Sequence, residues 1–129
     1  MFVVFEGLDK AGKTTLEWKF LKATNFKHII IDRGPVGYLV FDELFGRRTE
    51  CGDKQFARNV SLMSFAHNDF LVVYCKAPVD IVMQRLKEHD ETCPYDYESA
   101  QALYDSTIKL LYKNEGIKVI EVDTAKSIE

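Results

Sequence analysis

The stretch Phe2-Val3-Val4-Phe5-Glu6-Gly7-Leu8-Asp9-Lys10-Ala11-Gly12-Lys13-Thr14-Thr15 decides the fold. Met1 to Phe5 is a continuous apolar, β-branched and aromatic run, which reads as a strand buried on both faces, the kind parallel sheets contain. Gly7 to Thr14 matches G-x-x-x-x-G-K-[ST], a pattern that average residue usage yields by chance, in a chain this long, on the order of once in a few hundred. From Lys13 to about Ala23 the residues favour helix, with Leu16, Phe20 and Ala23 as its apolar stripe. A buried strand before and a helix after are the context this motif demands. Gly7 and Gly12 allow a close backbone approach that a Cβ would block, so successive N–H groups can wrap a polyphosphate. The following helix presents its positive dipole end to the same anion. Lys13 supplies a point charge to the outer phosphates, and the Thr14 hydroxyl is placed to ligate Mg²⁺.

Outward from this loop, strands and helices alternate. Lys27 to Ile31 reads as a second buried strand, stopped by Asp32-Arg33-Gly34-Pro35. Pro35 suits the first turn of a helix running to Phe45, and the polar stretch Arg47 to Asp53 reads as a loop. Lys54 to His67 is helical by pattern, with Phe56, Val60, Met63 and Phe65 as its buried positions. Phe70 to Cys75 is the third strand, Pro78 opens a helix through Lys87, and His89 to Pro94 is a loop. Tyr97 to Lys113 reads as an amphipathic helix carrying Ala100, Leu103, Ile108 and Leu111, closed by Gly116. Ile117 to Val122 is the fourth strand. The alternation predicts an α/β fold with a parallel β-sheet of about four strands flanked by helices, and the Gly7 to Thr14 motif makes it a P-loop NTPase-type sheet.

The 129 residues predict a single domain spanning 1–129. With 47% apolar and 29% charged residues the composition is that of a globular chain able to build a core. The net charge of −3 argues against a broad polyanion-binding surface and leaves room for a local phosphate pocket. Cys51, Cys75 and Cys93 are odd in number and never form C-x-x-C, which predicts reduced thiols and a cytoplasmic setting. No signal peptide is expected and no membrane span, since no apolar run approaches the roughly 20 residues a bilayer requires.

Asp32-Arg33 is the second constellation. It falls at the carboxyl end of a predicted parallel strand, the edge where open α/β sheets bind ligands. Asp32 could hold a Mg²⁺-bound water or orient an acceptor hydroxyl, and Arg33 could clamp a phosphate in bidentate fashion. The alternative is a surface ion pair or a helix cap. Arg85, on the helix after the third strand, reads equally as a nucleotide contact or a solvated residue. Arg47-Arg48 reads as solubility, and His28, His67 and His89 lack spacing partners. No nucleophile signature such as G-x-S-x-G is present.

Glu6 to Thr15, preceded by Phe2 to Phe5, resembles the opening of thymidylate kinases, members of the P-loop nucleoside and nucleotide kinase group. The informative letters are Asp9 and Lys10, because the family places an Asp there and one subclass a basic residue beside it. The resemblance implies a minimal kinase core that uses ATP and Mg²⁺ to phosphorylate a deoxynucleoside monophosphate, most simply dTMP. A 5′-hydroxyl acceptor, on a deoxynucleoside or a polynucleotide end, and a non-catalytic nucleotide-binding protein are the alternatives. Lys10 would contact the transferring phosphoryl group and Asp9 would sit near the acceptor sugar or the metal. Arg33 would hold the acceptor phosphate, with Asp32 near Mg²⁺. ATP would contact Gly7, Leu8, Asp9, Lys10, Ala11, Gly12, Lys13, Thr14 and Thr15. Arg85 would pack on adenine, and the segment Val122 to Glu129 resembles the family's last strand and adenine loop, with Thr124 and Ala125 as contacts. Homodimers are common in the family, and the apolar helix from Val36 to Phe45 could serve as an interface or as core.

Three features depart from the family pattern. Gly34-Pro35 follows the D-R pair where an aromatic residue is usual. Asp96 stands where an arginine of the segment ending in Tyr97-Glu98 would be. Only about fifteen residues, Leu16 to Ile30, separate the two motifs, so the elements that line the acceptor base in the family have no counterpart.

Overall fold

A computed structural model describes residues 1–8 and 10–125. Asp9 and the end of the expected adenine loop lie outside the described residues. The element order is β1 (Phe2–Glu6), α1 (Lys13–Ala23), β2 (Ile29–Asp32), α2 (Pro35–Leu44), α3 (Glu50–Phe65), β3 (Phe70–Lys76), α4 (Val79–Glu88), α5 (Tyr97–Leu111) and β4 (Lys118–Asp123). The four strands are all parallel, in the order β2-β1-β3-β4, with Val3 opposite Ile30 and Leu71, and Val73 opposite Ile120. The α/β sheet expected from the alternation is therefore present.

The period-two geometry of β1 divides the core. Val4 faces a large cluster with Val72 and Tyr74, covered by Val36, Val40 and Phe41 of α2, Val60 and Met63 of α3, and Ala100, Tyr104 and Ile108 of α5. Val3 and Phe5 face the other side with Val73 and Cys75, under Leu16 and Phe20 of α1. Burying each such aliphatic or aromatic side chain contributes about 1.5–3 kcal/mol. The apolar stripe of α2 is thus spent inside the molecule, while Tyr38 and Phe45 stay exposed on it.

Four local expectations need correction. The strand after Lys27 is not buried on both faces: β2 is an edge strand, and Ile29 remains exposed. The stretch Arg47 to Asp53 is not all loop, because the Thr49 hydroxyl accepts from the Gly52 N–H and starts α3 at Glu50. Phe65, expected inside, is 90% exposed at the end of α3, and Ala23 ends α1 in solvent. Arg47 and Arg48 pair with Asp42, Glu43 and Asp53, in keeping with a surface role.

The chain leaves β1 toward β2 on one side and reaches β3 on the other. That reversal is a topological switch point, and it opens a crevice beyond the carboxyl ends of the strands.

Candidate functional site

A cavity of about 720 Å³ occupies that crevice. Leu8, Lys10, Gly12, Lys13, Thr14 and Thr15 line it from the loop after β1, Asp32 and Arg33 from the end of β2, and Arg85 from α4. The two constellations read from the sequence meet there. Gly12 takes φ +81 as the residue before α1, and Lys10 and Arg33 take φ +63 and +68, conformations that cost side-chain-bearing residues of order 1–3 kcal/mol. The Arg33 N–H donates to the Phe5 carbonyl at 2.9 Å, and its guanidinium carbon lies 4.2 Å from the centre of the Phe41 ring. Gly7, Ala11 and Thr124 are buried behind the loop rather than on the cavity wall.

Lys13, at the first position of α1, reaches across to an ion pair with Asp32. Partial burial raises the Asp32 carboxyl, but hydrogen bonds from Lys13 and Glu17 and the charges of Lys13 and Arg33 hold it below the usual carboxylate range. Glu17, one turn beyond Lys13, was not anticipated. Burial, a hydrogen bond to Asp32 and the Asp32 charge push its carboxyl up to about 7, against the attraction of Lys13. Its Oε1 is a buried oxygen with no hydrogen-bond partner. Two carboxyls this close share a proton or neutralise a cation. The donor set, with the Thr14 hydroxyl and the Asp32 carboxylate on one cavity and an orphaned carboxylate oxygen behind them, fits a hard divalent cation.

Lys10 pairs with Glu91 across the cavity at 3.3 Å. Arg85 donates to the Lys10 and Thr124 carbonyls, both at 2.6 Å, so its N–H groups bind the loop and the chain end together while the side chain lines the cavity. The Thr124 hydroxyl donates to the Ala11 carbonyl, and Ala125 donates from its backbone to Asp123. Thr124 therefore ties the loop after β1 to the end of β4, while the Ala125 bond is local. Cys93, Pro94 and Tyr95 of the loop before α5 close the far wall.

Glu6 is a second residue that no sequence pattern singled out. Its side chain is fully buried between β1, α2 and α5. Tyr104 donates to Oε1 and Tyr112 to Oε2, each at 2.6 Å, and the Gly37 N–H donates at 3.0 Å. Burial pushes the carboxyl up, while the hydrogen bonds from Tyr104, Tyr112, Gly37 and Gly34 push it back. Gly34, where an aromatic residue is usual in the family it resembles, and Gly37 both follow from this packing. A Cβ on Gly34 would lie 2.4 Å from Val4 and 2.9 Å from Glu6, and one on Gly37 would lie 2.5 Å from Arg33. A charged residue ending an apolar strand, and tyrosines two turns apart on one helix, were the available signals.

No protein-family model matches the chain, and no curated protein does. Among solved structures it is similar to the crystal structure of YorR protein from Bacillus subtilis in complex with phosphorylated GDP. The TM-score is 0.70 at 17% identity, over 99% of this chain and 88% of that one. The likeness is one of fold. Among the described residues no helix is long and apolar enough to cross a membrane.

Proposed function

We propose that the chain is an ATP- and Mg²⁺-dependent phosphotransferase whose acceptor is a deoxynucleoside monophosphate, dTMP being the first to test. The observation that carries this reading is the convergence of Lys13 and Thr14, at the start of α1, with Arg33, just after β2, on one cavity. The bound phosphorylated GDP named for YorR supports a nucleotide as the ligand of this architecture.

Phosphoryl transfer asks mainly for positioning and charge neutralisation. The loop N–H groups and Lys13 hold the triphosphate, and Lys10 offsets charge on the transferring group. Arg33 holds the acceptor phosphate at the far side, kept off solvent on one face by Phe41. Thr14 and Asp32 are the residues to hold Mg²⁺, which when bound neutralises charge on the phosphate oxygens. An acceptor phosphate oxygen forms the new bond to the γ-phosphorus as the bond to the bridging oxygen breaks, and ADP leaves with the electron pair. A monophosphate is largely ionised at neutral pH, so the site need supply no base. A 5′-hydroxyl acceptor would require one.

The test is incubation with γ-labelled ATP, Mg²⁺ and separate panels of monophosphates, nucleosides and 5′-hydroxyl oligonucleotides. Label moving to monophosphates supports the reading. Label moving to hydroxyl acceptors alone, or nucleotide binding with transfer to none, refutes it in favour of the end-kinase or the non-catalytic alternative.

A further inference from the structure

Each half of the phosphate site is tied by a phenol to one buried carboxylate. The Gly7 N–H, the first of the phosphate loop, donates to the Tyr104 hydroxyl at 3.0 Å. The Val36 N–H, in the first turn of α2 just beyond Arg33, donates to the Tyr112 hydroxyl at 3.2 Å. A hydroxyl has one proton. Since both phenols already accept a backbone N–H, each sends its own proton to Glu6, Tyr104 to Oε1 and Tyr112 to Oε2. The Gly37 N–H completes the shell from α2. No local side chain caps α2, so the carboxylate from β1 occupies the helix terminus that would otherwise attract an anion.

We propose that Glu6 is a positioning residue of this site: it fixes the phosphate loop and the Arg33 turn relative to each other, through two phenols that each serve one side. Tyr104 sets the donor-nucleotide side and Tyr112 the acceptor side. The proposal rests on the functional reading above for what those sides bind, but the division of labour between the phenols does not need it. Glu6 touches neither reacting group, and its effect reaches Arg33 through the short Gly34–Gly37 turn. There the carboxylate lies so close that a Cβ on Gly37 would meet Glu6 Oε1 at 2.6 Å and the Tyr104 hydroxyl at 2.7 Å.

The experiment compares Tyr104→Phe, Tyr112→Phe and Glu6→Gln in the full chain. Three readouts are taken: hydrogen exchange at the peptides spanning 6–12 and 33–37, phenylglyoxal labelling of Arg33 against Arg58 in the same molecule, and the Kd for a fluorescent ADP with Mg²⁺. Tyr104→Phe is expected to speed exchange at 6–12 about fivefold, the loss of one hydrogen bond, and to weaken ADP similarly. It should leave Arg33 labelling within about twofold. Tyr112→Phe should do the reverse, speeding exchange at 33–37 and Arg33 labelling by about fivefold while ADP affinity holds. Glu6→Gln should move both sides. Equal effects of the two tyrosine variants on both sides, or labelling of Arg33 and Arg58 rising together, would overturn the proposal and leave a purely structural cluster. Should the unaltered protein not bind the ADP probe, the nucleotide reading fails, while exchange and labelling still decide the role of Glu6.

Discussion

Gly37→Ala is a sharp test of how the site is packed, because two effects of opposite sign meet there. Gly37 lies inside α2, where replacing glycine by alanine ordinarily stabilises a helix by about 0.8–1.0 kcal/mol. Here the added Cβ would lie 2.5 Å from Arg33 Cγ, 2.6 Å from Glu6 Oε1 and 2.7 Å from the Tyr104 hydroxyl. Glu6 is fully buried with three hydrogen-bonded partners around it and cannot retreat into solvent. Overpacking of this kind costs about 1–3 kcal/mol, and a buried hydrogen bond broken at the carboxylate adds about 1–3 kcal/mol. Against the helix gain, the net expectation is a loss of about 1–5 kcal/mol. Urea denaturation followed by circular dichroism measures it, with Gly52→Ala as the control. At Gly52 the one near neighbour among the described residues is the Thr49 hydroxyl at 3.0 Å, a single contact at the exposed start of α3, so that variant should stay within about 1 kcal/mol of the parent. A Gly37→Ala protein as stable as the parent would refute the close approach of α2 to Glu6 and the account of Arg33 built on it.

Other outcomes follow from single contacts. Glu17 is raised toward 7 by burial and Asp32, so the folded state takes up a proton that the unfolded chain gives up near 4.5. Its contribution therefore lowers stability as pH rises from about 4.5 to 7, and Glu17→Gln should flatten that slope and raise stability at pH 8 by on the order of 1–3 kcal/mol. Denaturation midpoints at pH 5 and pH 8 check it; an unchanged slope would contradict the Glu17–Asp32 contact. Thr124→Val removes the buried hydroxyl bonded to the Ala11 carbonyl and should cost about 1–3 kcal/mol, read as a lowered Tm. Phe65→Ser, at an exposed apolar tip, should change stability by less than about 0.5 kcal/mol and improve solubility in a precipitation assay.

The sheet and the strand–loop–helix unit at its centre were legible because their signals are local. A buried apolar run, four fixed loop positions and a helical continuation sit within the first 23 residues, and parallel strands alternate with helices down the chain. Asp32 and Arg33 were legible by position, as residues at the end of a strand that lies beside β1. What escaped the sequence depends on distant partners. Glu6 meets Tyr104 and Tyr112 about a hundred residues away, and the spacing of apolar residues carries no trace of that. Nothing in the helix pattern singles out Glu17, and only its fold-dependent nearness to Asp32 makes it unusual. β2 reads as apolar as a central strand, yet the short connection from α1 returns the chain straight to the sheet edge, and no strand among the described residues lies beyond it. Phe65 shows the opposite failure. It lies about 200° past Met63 around the axis of α3, so it points to solvent while Met63, in the same turn, is buried.

On the proposed function, the cavity between the loop after β1 and Arg33 holds a nucleoside triphosphate through Lys13. Titration calorimetry of ATP with Mg²⁺ into the protein and into Lys13→Ala measures this. One site per chain is expected, weakened at least about tenfold by the substitution, the worth of one charge-assisted contact. Absence of binding in the unaltered protein, or equal affinity in the two, would contradict it.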